Sequence, residues 1–248
     1  MPTPKVIFVV PYRNRELQRR FFIKHMTYIL EDLPSSDYRI LIVHQQDFRD
    51  FNRGALKNIG FLITKQLYPD EYKDITLVFN DVDTLPLEKN LFHYETTHGN
   101  VKHFFGFRFA LGGIVSITGN DFERIGGFPN FWGWGFEDNA LQRRALQSGI
   151  HINRDEFFPI LDKHVIQLQD GALRMINRTD YREYIADTKE GHYSISDLVY
   201  TLDGETANVT GFSTGRQPAT GTREITDISL TNEPFRRKRR GSYKMILT

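Results

Sequence analysis

The chain contains no cysteine. This excludes a disulfide framework, a thiolate metal site and a cysteine nucleophile, and favours a reducing compartment. Long apolar runs are also missing, so no membrane span is expected. The opening "MPTPKVIFVVPYRNR" is too short and polar for a secretory leader and reads as a strand instead. A cytoplasmic location is therefore expected. Charge of one sign is not in excess: 32 Lys and Arg stand against 31 Asp and Glu, a formal net charge of +1. That balance predicts no nucleic-acid partner. One basic cluster stands apart, Arg236, Arg237, Lys238, Arg239 and Arg240. A solvated tail is its ordinary reading and an anionic surface or partner the rarer one. Neither GxGxxG nor a P-loop follows the first strand, which argues against a classical dinucleotide or NTPase site.

What is present suits a soluble globular protein with a sizeable core: 248 residues, 40% hydrophobic and 25% charged. Lys5 to Val10 reads as a short buried strand stopped by Pro11. "LQRRFFIKHMTYILEDL" has apolar residues at helical spacing. "YRILIVHQQ" is a second strand, "NRGALKNIGFLITKQL" a second amphipathic helix and "DITLVFNDVDTLP" a third strand. This β-α-β-α-β order predicts a mainly parallel sheet flanked by helices. Ligands in such sheets lie beyond the carboxyl ends of the strands. The loops there are "PYRNR", "HQQDFRDFNRG" and "NDVDTLP". "FALGGIVSI" reads as a further strand, and "TGNDFERIGGF" as a capped short helix ended by Gly126-Gly127. Beyond residue 150, "KHVIQLQD" and "SDLVYTL" are expected strands and 168–192 a mobile loop. Residues 203–222 show no period.

Three constellations carry chemistry. Asp81-Val82-Asp83 follows a strand, and two carboxylates spaced i, i+2 can converge on a hard cation, or on a ribose and a cation. A turn that favours aspartate is the alternative. Arg13, Arg15 and Arg53 sit on neighbouring strand-end loops, and arginine forks suit phosphate oxygens; surface solubility is their alternative. Both tryptophans, Trp132 and Trp134, lie glycine-spaced in "FPNFWGWGFEDNALQRR". Glu137 and Asp138 follow, where a helix is expected to begin at Asp138 or Asn139 and acids are favoured. This is either a core pair with a helix cap or a sugar platform beside a catalytic carboxylate. Together the features describe a nucleotide-diphosphate leaving group held by metal and arginines, a carboxylate base and an aromatic wall for an acceptor.

"VVPYRNR", "FNRGALKNIGF", "VFNDVDTLP" and "GGIVSITGNDFERIGGFPNFWGWGFEDNALQRR" resemble the β-1,4-galactosyltransferase family, glycosyltransferase family 7. The matching segments run in the family's order from residue 6 to about 150. The resemblance implies a GT-A fold, a UDP-sugar donor, a sugar acceptor on a glycan or glycoconjugate, inversion at the anomeric carbon and a divalent metal, usually Mn2+, with Mg2+ a second possibility. It implies one GT-A domain over 1–248: a nucleotide-binding half 1–85, an acceptor and catalytic half 86–200, and a C-terminal extension 201–248 with the basic tail.

Pro11, Tyr12, Arg13 and Arg15 match the family's nucleotide loop, with Tyr in place of Phe. Phe51 and Arg53 match its donor contacts. Asp81, Val82 and Asp83 match its DVD element, with Asp83 as metal ligand. Gly113 and Trp134 match residues that line the sugar site. Glu137 and Asp138 match the acidic pair, with Asp138 as base. Asn139 departs from the usual third acid.

The family's further metal ligands come from a His-containing segment downstream of WGWG. An ungapped count places His164 and Gln167 there, with Gln169 beyond; "RMINR" at 174–178 offers a second register, with Arg178 in the histidine position. Ala110 stands where a bulky Tyr goes with galactose and smaller residues admit an N-acetyl group. The rival readings are a catalytically silent sugar- or nucleotide-binding protein of the same fold and, from the basic cluster, a nucleic-acid-binding module.

Overall fold

Every residue of Val6–Tyr12 is buried, and alternate side chains feed two different cores. A strand covered on both faces belongs at the centre of a sheet, and β1 (Val6–Tyr12) lies there in the computed structural model, which describes residues 2–133, 135–168, 173–176, 190–216 and 224–227. In chain order there follow α1 (Glu16–Ile29), β2 (Tyr38–Gln45), α2 (Arg53–Leu67), β3 (Thr76–Asn80), β4 (Thr84–Pro86), β5 (Asn100–Gly106) and β6 (Ile114–Thr118). Then come α3 (Gly119–Arg124), α4 (Glu137–Gln147), β7 (His151–Asn153), β8 (Phe158–Pro159), β9 (Val165–Gln167), β10 (Leu173–Ile176), β11 (Ser196–Asp203), β12 (Thr206–Ser213) and β13 (Glu224–Asp227).

The main sheet runs β11-β12-β2-β1-β3-β6-β5-β7, with β8 beside β5. β12, β2, β1 and β3 are mutually parallel, as are β5, β7 and β8, while β6 is antiparallel to both β3 and β5. The fold is α/β, as the strand-helix alternation predicts. Because β6 runs backwards, the Gly112-Gly113 turn before it arrives at the same sheet edge as the carboxyl ends of β1, β2 and β3. One core, on the α2 side, gathers Ile7, Val9, Leu56, Ile59, Phe61 and Phe122. The other, on the α1 side, gathers Phe8, Val10, Phe22, Met26 and Phe104.

Five expectations need correction. The first strand, expected to stop at Pro11, runs on through Tyr12, with Pro11 in register with Val43 of β2. The strand expected over "FALGGIVSI" begins only at Ile114, because Ala110 N–H closes a turn on Phe107 O at 3.1 Å and Gly113 has φ +74°. The helix after WGWG begins at Glu137, one residue early, behind a left-handed Phe136. Residues 203–222, which show no period, contain β12, whose buried Ala207, Val209 and Phe212 join the α2-side core. The segment 168–192, expected as a loop, contains β10; residues 169–172 and 177–189 lie outside the described residues, as does the basic cluster at 236–240. The short helix over "TGNDFERIGGF" is present as α3, with Thr118 Oγ1 accepting from Asp121 N–H at 3.2 Å.

Candidate active site

The site is organised by α2. Its first residue is Arg53, and Asn52 caps it by accepting from Ala55 N–H at 2.9 Å. Two further bonds fasten this helix to the segment that leads into Glu137 and Asp138. Asn58 Nδ2 donates to Phe128 O at 2.7 Å, and Asn52 Nδ2 donates to Asn130 O at 3.2 Å. Gly133 N–H reaches Phe51 O at 3.3 Å. The WGWG segment is thereby clipped to the loop that carries Phe51 and Arg53. Trp132 is buried, stacked on Phe212 at 5.5 Å, and donates from Nε1 to Arg216 O at 2.9 Å. It is a core side chain, and Trp134 lies outside the described residues.

Arg53 is the hub. Its guanidinium contacts Asp138 Oδ2, lies 3.0 Å from Glu137 Oε1 and 3.5 Å from Asp81 Oδ2. Burial alone would lower its pKa; the carboxylates Asp138, Asp81 and Glu137 outweigh burial and raise it well above the ordinary value. Lys57, one helical turn on, places Nζ 3.0 Å from Asp138 Oδ1. Three carboxylates therefore share two cations. Burial pushes the Asp138 carboxyl up, but Arg53 and then Lys57 overcome it and hold the carboxyl below its usual range. Glu137, 2% exposed, is pushed up by burial with Asp138's charge adding, against the pull of Arg53. The pair is thus split in the way acid–base sites split neighbouring carboxyls.

The floor of the site is set by backbone. Asp81 N–H donates to Gly113 O at 3.0 Å and Leu111 N–H to Asp138 O at 3.0 Å. A Cβ on Gly112 would stand 2.3 Å from Asp138 Oδ2, so this carboxylate can approach the turn only because residue 112 has no side chain. Beneath it, His103 is buried, its Nε2 lying 3.1 Å from Gly112 O and 3.0 Å from Phe105 O. Arg154 Nε donates to His103 Nδ1 at 3.1 Å, which assigns the ring proton to Nε2. Ala110 is 6% exposed and adjoins this turn.

The segment from Pro11 to Arg15, at the end of β1, arrives at the same edge. Pro11 and Tyr12 are buried, and Tyr12 packs on His44 at 4.7 Å while its hydroxyl donates to Glu16 at 3.0 Å. Burial and that hydrogen bond raise the Tyr12 pKa. Arg13 donates to Arg49 O, joining the loop after β1 to the loop after β2. Arg15 caps α1. Val82 is buried at the turn between β3 and β4.

For a hard cation the arrangement offers oxygen donors. Asp81 Oδ1 is buried with no hydrogen-bond partner, and Asp83 stands two residues on. β9 pairs antiparallel with β4, so Leu168 N–H donates to Asp83 O at 2.8 Å and Gln167 faces Thr84. Gln167 is thus one register step from Asp83. His164 is not brought there: its carbonyl accepts from Leu87 N–H at 2.8 Å, its Nδ1 lies 2.8 Å from Asp162 and its ring packs on Phe158 at 5.0 Å. At about 3.3 Å per strand residue, four residues separate Leu87 from Asp83 by about 13 Å. Among the described residues no three His, Asp or Glu side chains form a ready-made metal cage. An oxygen set built on Asp83 fits a hard divalent ion completed by ligand oxygens. Gln169 and Arg178 lie outside the described residues.

Sequence reasoning missed Lys57 and His103. Lys57 had a signal: it follows Arg53 by four residues, which puts both on one helix face. His103 had none, because its role comes from a carbonyl nine residues away, in the turn before the next strand.

The sheet matches solved GT-A structures. The catalytic domain of Drosophila β-1,4-galactosyltransferase 7 with xylobiose aligns with TM-score 0.67 at 23% identity, over 84% of this chain and 94% of that one. A mutant of that enzyme with manganese, UDP-Gal and xylobiose aligns at 0.65 and 22%, with the same coverage. The fold is that of a GT-A glycosyltransferase. Family profiles match over residues 1–95, described as the N-terminal region of glycosyl transferase group 7, and 93–164, described as the N-terminal domain of galactosyltransferase. The chain is 31% identical over 213 residues to xylosylprotein 4-β-galactosyltransferase of Caenorhabditis elegans, covering 80% of this chain and 72% of that protein. Human β-1,4-galactosyltransferase 6 is 28% identical over 210 residues, and the chain spans 53% of its length. The chain belongs to glycosyltransferase family 7, the β-1,4-galactosyltransferases. Among the described residues no helix is long and apolar enough to cross a membrane.

Proposed function

We propose that the chain is an inverting glycosyltransferase that moves a hexose or N-acetylhexosamine from a UDP-sugar to a sugar hydroxyl of a glycan or glycoconjugate. The observation that carries this reading is the cluster at the sheet edge. Asp138 stands ionised at the start of α4, gripped by Arg53 and Lys57, and the same Arg53 reaches Asp81 at 3.5 Å. Its carboxylate takes the proton of the acceptor hydroxyl as that oxygen bonds to the anomeric carbon. The bond from that carbon to the diphosphate oxygen breaks, and UDP leaves. A single displacement inverts the configuration.

Arg13, Arg15 and Arg53 bind the diphosphate as forks. Tyr12 and Phe51 line the nucleotide side, with Pro11 and Val82 packed behind them. Glu137 is a buried counter-charge that keeps Arg53 aimed. Asp83 would hold a divalent ion, with Mn2+ the expected metal because the Drosophila relative was solved with manganese and UDP-Gal; Gln167, which pairs opposite Thr84, is the next candidate oxygen donor, and His164 stands aside. That ion would supply charge neutralisation for the leaving group. Ala110, Gly113 and Trp134 are the proposed walls of the sugar pocket.

The test is a screen of UDP-sugars with sugar acceptors, scored by product mass and by UDP release with and without acceptor, in Mn2+ and in EDTA. Product from wild type and a loss of about 10²–10⁴ in rate for Asp138→Asn, with UDP binding retained, are expected. UDP-sugar binding with no product for any acceptor would indicate the silent binding protein instead.

A further inference from the structure

We propose that Lys57 is a positioning residue of the transfer reaction, an ammonium built into the fold that fixes Asp138 as an ionised, aimed base. The proposal rests on Asp138 being the base. Lys57 is 1% exposed, on a helix whose neighbouring positions Leu56, Asn58 and Ile59 are fully buried. Packing gives no reason for a charge there, since an aliphatic side chain would fill the same room without desolvation. The ammonium lies 3.0 Å from Asp138 Oδ1 and 4.5 Å from the centre of the Phe128 ring. Among the described residues its ion pair is to Asp138.

Arg53 cannot do this work alone, because its one charge is divided among Asp81, Glu137 and Asp138. It is also the more accessible of the two cations, with side-chain exposures of 12% for Arg53 and 2% for Lys57. An arriving diphosphate competes for Arg53 and not for the sealed ammonium. Lys57 therefore holds Asp138 whether or not Arg53 turns to the donor. A carboxylate oxygen has two lone pairs, so the ammonium leaves Oδ1 able to accept a proton. The charged and titratable groups facing Asp138 are Arg53 and Lys57 from α2, Glu137 beside it on α4, Asp81 through Arg53 from the β3–β4 turn, and His103 from β5 at longer range.

The experiment compares Lys57→Met with wild type. Carbon-13 NMR follows the Asp138 carboxyl across pH, assigned by its absence in Asp138→Asn, and kinetics follow kcat/KM across pH with one donor and acceptor. Losing a cation in contact is expected to move the Asp138 titration and the acid limb of kcat/KM upward by about 1–3 pH units. At fixed pH, kcat should fall about 10-fold or more while KM for the acceptor changes by less than about twofold. The Asp138 titration needs no turnover: if wild type makes no product, the transferase reading fails while the carbon-13 comparison still decides the Lys57–Asp138 coupling. An unmoved titration and acid limb would overturn the proposal and leave Lys57 a packing residue. If Lys57→Met does not fold, Lys57→Met/Asp138→Asn is made. Recovery of the fold in that neutral pair supports the coupling, and failure of both variants assigns Lys57 to the core and overturns it.

Discussion

At the scale of single residues, burial decides which charges persist. His103 shows this beneath the site, where desolvation and then the Arg154 charge push its pKa down to about 4 from 6.5. The unfolded chain takes up this proton more readily than the folded one between those values. The stability contributed by neutral His103 is therefore full above about pH 6.5 and is lost as pH falls towards 4, by about 3 kcal/mol at most. Urea unfolding across this range should show the slope, and His103→Gln, which can still donate to the Gly112 carbonyl, should flatten it. Ala110 carries a second prediction. A methyl in place of a phenol leaves room for an acetamido group, so wild type should use UDP-GalNAc or UDP-GlcNAc at least as well as UDP-galactose. Ala110→Tyr should shift the ratio of kcat/KM values towards galactose by about tenfold or more. An unchanged ratio would remove Ala110 from donor selection.

At the scale of elements, the site is three strand ends, one reversed strand and two helix starts. The central strands and α2 were legible because their apolar spacing is set by burial on two faces. The DVD turn and the acid pair were legible because their residue types are costly elsewhere. The β9 register was not: an ungapped count put His164 near Asp83, whereas the pairing of β9 with β4 put Leu168 there. Strand register is fixed by non-local pairing, which spacing along one chain does not contain. Nor was the start of β6 legible, since the Gly112-Gly113 turn before it exists to let another element approach. Gly112→Ala would press on the Asp138 carboxylate, which a Cβ would meet at 2.3 Å. A shift of about 1 Å in a catalytic group can cost about 10²-fold. Transfer should fall by that order while the circular dichroism spectrum stays unchanged. In the β3–β4 turn, Asp83→Ala should abolish transfer in Mn2+, matching wild type in EDTA; full activity of either would remove the metal from the proposal.

At the scale of the whole molecule, the fold does not close where the family profiles end. They stop at residue 164, yet β12 pairs with β2 and buries Ala207, Val209 and Phe212 in the main core. Burying a Val or Phe side chain is worth about 1.5–3 kcal/mol, a large share of a domain stability of about 5–15 kcal/mol. Removing β12 would also bare an edge of β2. A chain cut after His164 should therefore aggregate or melt without a cooperative transition, as calorimetry would show, while the full chain melts cooperatively.

The placement of Trp132 has an optical consequence. It is one of only two tryptophans in the chain, and the other follows two residues later. Tryptophan emission is thus a local signal, originating wholly in the segment that joins Arg53's loop to Asp138. The Arg49 guanidinium lies 4.5 Å from the Trp132 ring, and the Arg49 carbonyl accepts from Arg13 of the loop after β1. Any ligand that draws Arg13 away disturbs the indole's surroundings through one intervening residue. If the proposed donor site holds, unlabelled protein should report donor binding through its own emission and stay silent to events at the far edge of the sheet.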